Sequence, residues 1–369
     1  MSENAGKNVR LASLDALRGF DMLFIMGGEG LLCAIAAAFG HATLAKEIGH
    51  VPWHGLHFMD TVFPLFLFMA GASFPFSCAK SLSLGMSRRT VALRSLRRGL
   101  TLVALGFVVS GIFDLKFASV RVWSVLGRIG LAWMFASWIH LAFGWRKRIG
   151  IAAGLLTATV LVTVLVPAPG APAGADVFSP EGNLGCWLDR TLTAGHIHRP
   201  LFDPEGFAGL VPAVVTAMLG MFAGEIVRVG GSRATGRKAL GLLGCGLLSA
   251  ALGGALSFVF PVNKALWSPS FVLVVGGYSF ALFALFYWII DVKGRSRWSF
   301  FFRVIGMNSI TIYVAQRIVP FRGIRDFFFG GLAAQLPAEI GAIVLSLGYI
   351  AICWLFLLFL HRKGVFLKV

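Results

Sequence analysis

The chain has little charge for its length. Only 13% of its 369 residues are Asp, Glu, Lys or Arg, whereas 57% are hydrophobic and the mean hydropathy is +0.81. A water-soluble globule of this size needs more polar surface than this composition provides. The composition therefore excludes a soluble protein and indicates a protein whose surface faces lipid.

Cysteine is also scarce, and the five cysteines are scattered as Cys33, Cys78, Cys186, Cys245 and Cys353. No two of them have the C-x-x-C spacing of a zinc or redox site. The sequence therefore gives no sign of a thiol-based centre.

The chain does contain long apolar runs. Runs of about 17 to 25 residues are long enough to cross the hydrocarbon core as helices. Ten such runs predict an all-α polytopic helix bundle, with spans near 15–38, 57–79, 99–113, 122–143, 149–167, 207–228, 239–260, 269–290, 304–320 and 338–360. We expect one transmembrane domain over residues 1–369, with the bilayer as its solvent.

Acidic residues are few, 16 against 33 Lys and Arg, which gives a net charge of +17. Two thirds of these basic residues fall in segments on the same side as the N-terminus. The positive-inside rule then predicts that both termini are cytoplasmic. This placement accounts for the charge, and no basic cluster belongs to a recognisable nucleic-acid-binding module. We therefore expect no nucleic-acid partner.

One long segment, residues 168–206, is predicted to lie outside the membrane on the far side. It begins with a Pro/Ala/Gly-rich stretch and continues with polar residues that include two histidines and two acids. Two interpretations stay open, a cap over an external opening and a connector without a function of its own.

Titratable residues concentrate where the second apolar run begins. Three histidines and an aspartate lie within His50–Asp60, with the sequence HVPWHGLHFMD. Holding such groups at a membrane boundary costs free energy, so they indicate chemistry or transport rather than packing. The first run also carries charge, since Asp15, Arg18 and Glu29 share one helical face. Arg18 is placed either to hold a phosphate or to pair with neighbouring acids, and the buried Arg128 is expected to need a carboxylate partner.

Five motifs, in the family's order and over nearly the whole chain, resemble the heparan-α-glucosaminide N-acetyltransferase family. Within that family, the chain is most similar to the bacterial NagX-type inner-membrane proteins. The motifs are Arg10–Gly19 (RLASLDALRG), His50–Gly71 (HVPWHGLHFMDTVFPLFLFMAG), Asp203–Gly206 (DPEG) with Gly220–Glu225 (GMFAGE), Pro261–Lys264 (PVNK) with Trp267, and Gly306–Tyr313 (GMNSITIY).

The resemblance implies transmembrane acetylation, in which acetyl-CoA from the cytoplasm supplies an acetyl group to an amino sugar on the periplasmic side. The family's catalytic histidine falls on His50. A neutral imidazole can act as a general base or carry the acetyl group, and both routes stay open. The resemblance also implies a bacterial inner-membrane location and a homodimer. The short external loop favours a small glucosamine-like acceptor.

Asp60 is the expected partner that orients or polarises the catalytic site, although it also suits a helix cap. A rival interpretation makes His50, His54, His57 and Asp60 a zinc or iron ligand set. Pro52 interrupts that segment, and the family motif requires neither His54 nor His57. We therefore expect no metal.

The binding residues are predicted from topology and residue chemistry. The CoA phosphates need cations at the cytoplasmic mouth and the pantetheine arm needs amide partners. These roles fall to Arg18, Arg97, Arg98, Arg303 and Asn308, the last of which also suits an interhelical hydrogen bond. Acceptor binding falls to Asn263, Lys264, Trp267, Asp203 and Glu205, of which the two acids also suit the start of a helix.

An amino-sugar transporter without acyl transfer is the alternative function. Ten helices with intramembrane charges and an external cap also suit alternating access. The two functions differ in whether His50 is needed for a covalent product, or whether the sugar accumulates without acetyl-CoA.

Overall fold

The computed structural model describes residues 11–115, 117, 120–229, 231 and 234–367. Arg10, at the start of the first motif, and Lys7, Arg233 and Lys368, which enter the charge count, lie outside these residues. The described chain forms α-helices, and its one β contact is a bridge between Pro167 and Asn183. The predicted all-α polytopic bundle is confirmed.

The described residues form fifteen α-helices, whose order follows the sequence. They are α1 Ala12–Leu23, α2 Glu29–Ala38, α3 Ala42–Ile48, α4 Phe58–Ser83, α5 Arg88–Val109, α6 Val125–Ala142, α7 Trp145–Leu165, α8 Leu184–Leu192, α9 Leu210–Arg228, α10 Gly236–Ser257, α11 Pro269–Phe286, α12 Phe300–Met307, α13 Ser309–Ile318, α14 Phe321–Ala334 and α15 Ala338–Arg362.

Eight helical segments of the described chain are long and apolar enough to cross a membrane. They are Ala12–Ala38, Phe58–Ser83, Val125–Ala142, Trp145–Leu165, Leu210–Arg228, Gly236–Ser257, Pro269–Val292 and Ala338–Arg362. The other two predicted spans are helical too, but α5 begins with a basic stretch and Asn308 separates α12 from α13. The chain is thus an integral membrane protein, and ten spans remain a prediction.

The first predicted span is a broken helix rather than a continuous one. A π-helical turn, Phe24–Gly28, separates α1 from α2, and Gly27 within it has a φ of +113°. Only glycine adopts this backbone conformation at little cost. The helical phase therefore changes after Phe24, so the continuous helix on which the shared face of Glu29 with Asp15 and Arg18 was predicted does not form.

Close helix packing brings the last of the five motifs to the first. A Cβ atom on Gly306 would lie 1.9 Å from the carbonyl oxygen of Asp15, and one on Gly19 would lie 1.7 Å from that of Phe302. Neither position can accept a side chain, so α1 and α12 cross with their backbones in contact. This crossing places Asn308 next to the polar residues of α1.

The long connection between α7 and α9 is folded against the bundle. It contains α8, and its Phe178 carbonyl accepts a hydrogen bond of 2.9 Å from Trp53 Nε1. The Trp53 ring also packs against Phe202, with 4.7 Å between centroids. The connection therefore covers the segment that carries His50.

Candidate active site

A cavity of about 210 Å³, here called the His50 cavity, opens beside the first turn of α4. It is lined by side chains from the segment before α4, from the α5–α6 connection, from the segment before α9 and from the α10–α11 connection. They are His50, Val51, Pro52, Trp53, Asp60, Arg121, Val125, His198, Arg199, Phe202, Pro204, Glu205, Lys264 and Ala265.

His50 and Asp60 form a hydrogen-bonded pair in this cavity. The His50 Nδ1 atom lies 2.7 Å from Asp60 Oδ1, and Asp60 is 1% exposed whereas the His50 side chain is 49% exposed. An ionised carboxylate can only accept, so Nδ1 carries the proton and Nε2 is left with its lone pair. The imidazole therefore has one nitrogen fixed and the other available to a bound molecule.

Asp60 is both the partner of His50 and a helix cap. It occupies the third position of α4, and its Oδ2 atom accepts backbone N–H groups from His57 at 3.0 Å and Val51 at 3.2 Å. These bonds satisfy donors that a helix start leaves unpaired. The two interpretations drawn from the sequence therefore coincide, because the cap is what holds the carboxylate towards His50.

The three histidines of this segment point to different partners. His54 Nδ1 lies 3.2 Å from Asn263 Nδ2, and His57 Nε2 lies 3.6 Å from Glu47. Burial lowers the pKa of His54, and the charge of Asp176 offsets only part of this effect. Within the described chain, no three His, Cys, Asp or Glu side chains converge as metal ligands.

Lys264 reaches the His50–Asp60 pair from the α10–α11 connection. Its Nζ atom lies 3.1 Å from His50 Nδ1 and 3.4 Å from Asp60 Oδ1. The residues around it in the PVNK motif have structural contacts, since Asn263 is fully buried and its side-chain oxygen accepts the Leu266 N–H at 2.9 Å. Of this motif, Lys264 is the residue that enters the cavity.

Trp267 does not present an aromatic face to the cavity. It is fully buried, its Nε1 donates to Thr216 Oγ1 at 3.1 Å, and the guanidinium of Arg128 lies 5.0 Å from its ring centroid. Arg128 Nη2 donates to the Gly206 carbonyl at 2.7 Å. The carboxylates that interact with its charge belong to Glu205, Asp189 and Asp203. The tryptophan and arginine form the wall behind the site.

Arg121, which the sequence did not single out, holds the two acids of the DPEG motif. Its Nη2 atom donates to both Asp203 and Glu205, and its Nε donates to Asp203 at 2.9 Å. Burial lowers the pKa of Arg121, but the hydrogen bonds and charges of these two acids outweigh that effect and raise it. Glu205 lines the cavity, whereas Asp203 is buried behind it.

A second cavity, of about 380 Å³ and here called the Arg18 cavity, lies among α1, α4, α5, α12 and α13. Its polar lining consists of Asp15, Arg18, Ser73, Arg98, Asn308 and Ser309, and both Leu11 and Leu367 border it. Arg18 donates to Ser73 Oγ at 2.8 Å and to Asp15 at 3.3 Å. A bound phosphate and the Asp15 carboxylate would therefore compete for the Arg18 guanidinium.

The structure brings three of the five predicted CoA residues together. Arg98 joins Arg18 in the cavity, with its guanidinium 4.4 Å from the Trp133 ring centroid. Asn308 lines it too and donates to the Val365 carbonyl at 3.2 Å. Arg97 is exposed on another face of α5, and Arg303 is not part of the lining.

A narrow apolar gap separates the two cavities. It measures about 20 Å³ and is lined by Met22, Ile25, Phe63, Phe66, Val125, Leu126, Ile129, Ile310 and Tyr313. Phe66 and Ile310 also line the Arg18 cavity, and Val125 also lines the His50 cavity. The gap therefore borders each of the two cavities through side chains that it shares with them.

Comparison with known proteins agrees with the motifs. The family model described as "Heparan-alpha-glucosaminide N-acetyltransferase, catalytic" matches residues 10–252. The heparan-alpha-glucosaminide N-acetyltransferase of Homo sapiens is 28% identical, over 84% of this chain and 53% of that protein. The protein of that name from Mus musculus is 27% identical, over 73% of this chain and 49% of that protein. This chain spans about half the length of both relatives.

The family match covers three of the five motifs and the residues of both cavities up to residue 252, including His50, Asp60, Arg18 and Arg98. Lys264 and Asn308 lie beyond the matched residues, and packing against the matched part brings them to the two cavities. On the model match and the relatives together, the chain belongs to the heparan-alpha-glucosaminide N-acetyltransferase catalytic family.

Proposed function

We propose that this protein is a transmembrane acetyltransferase that moves an acetyl group from acetyl-CoA to the amine of a small glucosamine-like sugar. The observation that carries the proposal is the hydrogen-bonded His50–Asp60 pair, which opens to one cavity, with a small apolar gap between that cavity and a second, cationic one. Family membership supplies the reaction class, since the relatives are named N-acetyltransferases.

The Arg18 cavity has the chemistry that CoA requires. Arg18 and Arg98 provide two guanidinium groups against the single carboxylate of Asp15, so the lining favours an anion such as a phosphate. Asn308 and Ser309 offer hydrogen bonds to the amides of the pantetheine arm. The arm then points to Phe66 and Ile310, with the thioester nearest the His50 cavity.

The His50 cavity has the chemistry for attack on the thioester. His50 Nε2 takes the proton from the acceptor amine as the nitrogen bonds to the acetyl carbon, and the carbon–sulfur bond breaks. The proton then passes to the CoA thiolate, which leaves as the thiol. In the carrier route, Nε2 itself bonds to the acetyl carbon first and is released when the amine attacks.

The two cavities then face opposite sides of the membrane. Leu11 and Leu367, the first and last described residues, border the Arg18 cavity, and the basic residues predict that both termini are cytoplasmic. In a bacterial cell the His50 cavity faces the periplasm across the inner membrane. Its limited volume of about 210 Å³ favours a single sugar or a chain end over an extended polysaccharide.

The test uses purified protein with radiolabelled acetyl-CoA and a panel of amino sugars. We expect labelled N-acetyl sugar from the wild type, its loss in His50→Ala, and wild-type activity in His41→Ala, which changes an exposed histidine outside the cavity. No product with any acceptor, together with amino-sugar accumulation in proteoliposomes that lack acetyl-CoA, would instead establish the transporter.

The two chemical routes are separated by leaving out the acceptor. Label that remains on His50 after brief exposure to acetyl-CoA identifies the carrier route, and mass spectrometry of the His50 peptide locates it. Direct transfer leaves the peptide unlabelled while the complete reaction still forms product.

A further inference from the structure

Lys264 is placed to control the protonation of the catalytic pair. Its side chain is 16% exposed, and its Nζ atom contacts both His50 Nδ1 and Asp60 Oδ1, at 3.1 and 3.4 Å. The sequence suggested that Lys264 binds the acceptor. Its ammonium is instead directed to the side of the imidazole that is turned away from the open nitrogen.

Proton counting assigns the bonds among these three groups. Asp60 can only accept, so the 2.7 Å contact requires the hydrogen on His50 Nδ1. An ammonium can only donate, so it cannot hydrogen-bond to a nitrogen that already carries a hydrogen. Lys264 therefore pairs with Asp60. Its close approach to the imidazole brings the ammonium charge next to the ring without a hydrogen bond between them.

We propose that Lys264 is a positioning residue that keeps His50 neutral, with its proton on Nδ1 and its Nε2 free to accept. Asp60 alone would stabilise the imidazolium form, in which Nε2 already holds a proton and cannot act as a base. The ammonium opposes that second proton while leaving the His50–Asp60 hydrogen bond intact. This role rests on the proposed function, in which Nε2 is the reacting atom.

Other charged groups also face His50 in this cavity. Arg121 and Glu205, from the α5–α6 connection and the segment before α9, are paired with each other, and His198 and Arg199 also line the cavity. Burial lowers the pKa of Lys264, while the charges of Asp60 and Glu205 restore part of it. Lys264 is thus the cation in direct contact with the imidazole.

The proposal is tested by chemical titration of His50, which needs no acetyl transfer. Diethyl pyrocarbonate modifies neutral imidazole, and the half-exposed ring is accessible to it. The extent of modification of the His50 peptide is measured by mass spectrometry from pH 5 to 9. We expect Lys264→Met and Lys264→Gln to move the midpoint upward by about one pH unit or more. Lys46→Met, which removes an exposed lysine outside the cavity, should leave it in place.

The rate profile gives the second readout. The pH at which the acetylation rate rises on the acid side should move upward together with the midpoint of diethyl pyrocarbonate modification. Lys264→Met should then recover at alkaline pH much of the kcat that it loses at lower pH. An unchanged midpoint in both folded Lys264 variants overturns the role of Lys264. A wild type that titrates as expected but acetylates no sugar contradicts the proposed function and not the proton assignment.

Discussion

The two cavities differ in how their charged side chains are arranged. At the His50 cavity, Lys264 pairs with Asp60, and Arg121 pairs with Asp203 and Glu205. The lining of the Arg18 cavity contains two guanidinium groups and one carboxylate, Asp15, which contacts Arg18 at 3.3 Å. We infer that the first arrangement fixes the geometry and protonation of a few atoms, and that the second favours an anionic ligand.

This difference indicates how one small bundle combines two tasks. Proton transfer requires a group held in one tautomer, and fixed partners provide this. Binding a phosphate requires that charge be left over, and the protein itself must not neutralise it. We therefore expect changes at the His50 end to affect turnover and changes at the Arg18 end to affect affinity for acetyl-CoA.

The largest effect is expected for Asp60→Asn. The asparagine amide can donate to Nδ1, which moves the imidazole proton to Nε2 and removes the base. We expect kcat to fall by about 10² to 10⁴ with little change in acetyl-CoA binding. Initial rates and equilibrium binding measure the two quantities. A variant whose kcat stays within threefold of the wild-type value would contradict the expectation that changes at the His50 cavity affect turnover.

A second prediction concerns the wall behind the His50 cavity, where Asp189 accepts the Phe207 N–H at 2.7 Å. Burial raises the pKa of Asp189 to about 6, against a partial lowering by that hydrogen bond and by Arg128. The folded protein therefore binds this proton more tightly than the unfolded chain does. Stability should fall as the pH rises from about 4 to 6, by about 2 to 3 kcal/mol.

Thermal unfolding of the detergent-solubilised protein over that pH range measures this effect. Asp189→Asn keeps the oxygen that accepts the Phe207 N–H but cannot ionise. Its melting temperature should lose this part of the pH dependence, and an identical pH dependence in the variant would contradict the assignment.

At the other end, Arg18→Gln should weaken acetyl-CoA binding about tenfold, since it removes one charge-assisted contact. The kcat at saturating acetyl-CoA should change little. Arg97→Gln is the matched control, because Arg97 is an arginine of the neighbouring helix α5 that lies outside the cavity. Equal losses in the two variants would mean that general positive charge, and not this cavity, attracts the ligand.

The smallest effect is expected for Trp267→Phe. The change removes the Nε1 hydrogen bond to Thr216 but keeps an aromatic ring over Arg128. We expect a loss of about 1 kcal/mol in stability and an unchanged KM for the acceptor. A selective rise in that KM would instead restore the sugar-binding role that the sequence suggested.

Sequence reasoning succeeded where the signal is local. The apolar runs correctly predicted an all-α membrane bundle, and the HVPWHGLHFMD segment contains both members of the His50–Asp60 pair, because ten residues and one helix start bring them together. The first span was predicted as one continuous helix. A Cβ atom on Gly27 would lie 2.9 Å from the Tyr349 ring, a close approach that no periodicity in residues 15–38 reveals.

The composition and order of motifs thus determined the solvent, the secondary structure and the family of this protein. Tertiary structure decided that Arg98 and not Arg97 lines the Arg18 cavity, that Arg121 holds the DPEG acids, and that Lys264 lies against His50 while Trp267 lies behind it. Hydropathy and helical period depend on neighbours a few residues apart. Contacts such as Lys264 with His50 join residues more than two hundred positions apart, and only helix packing sets their distance.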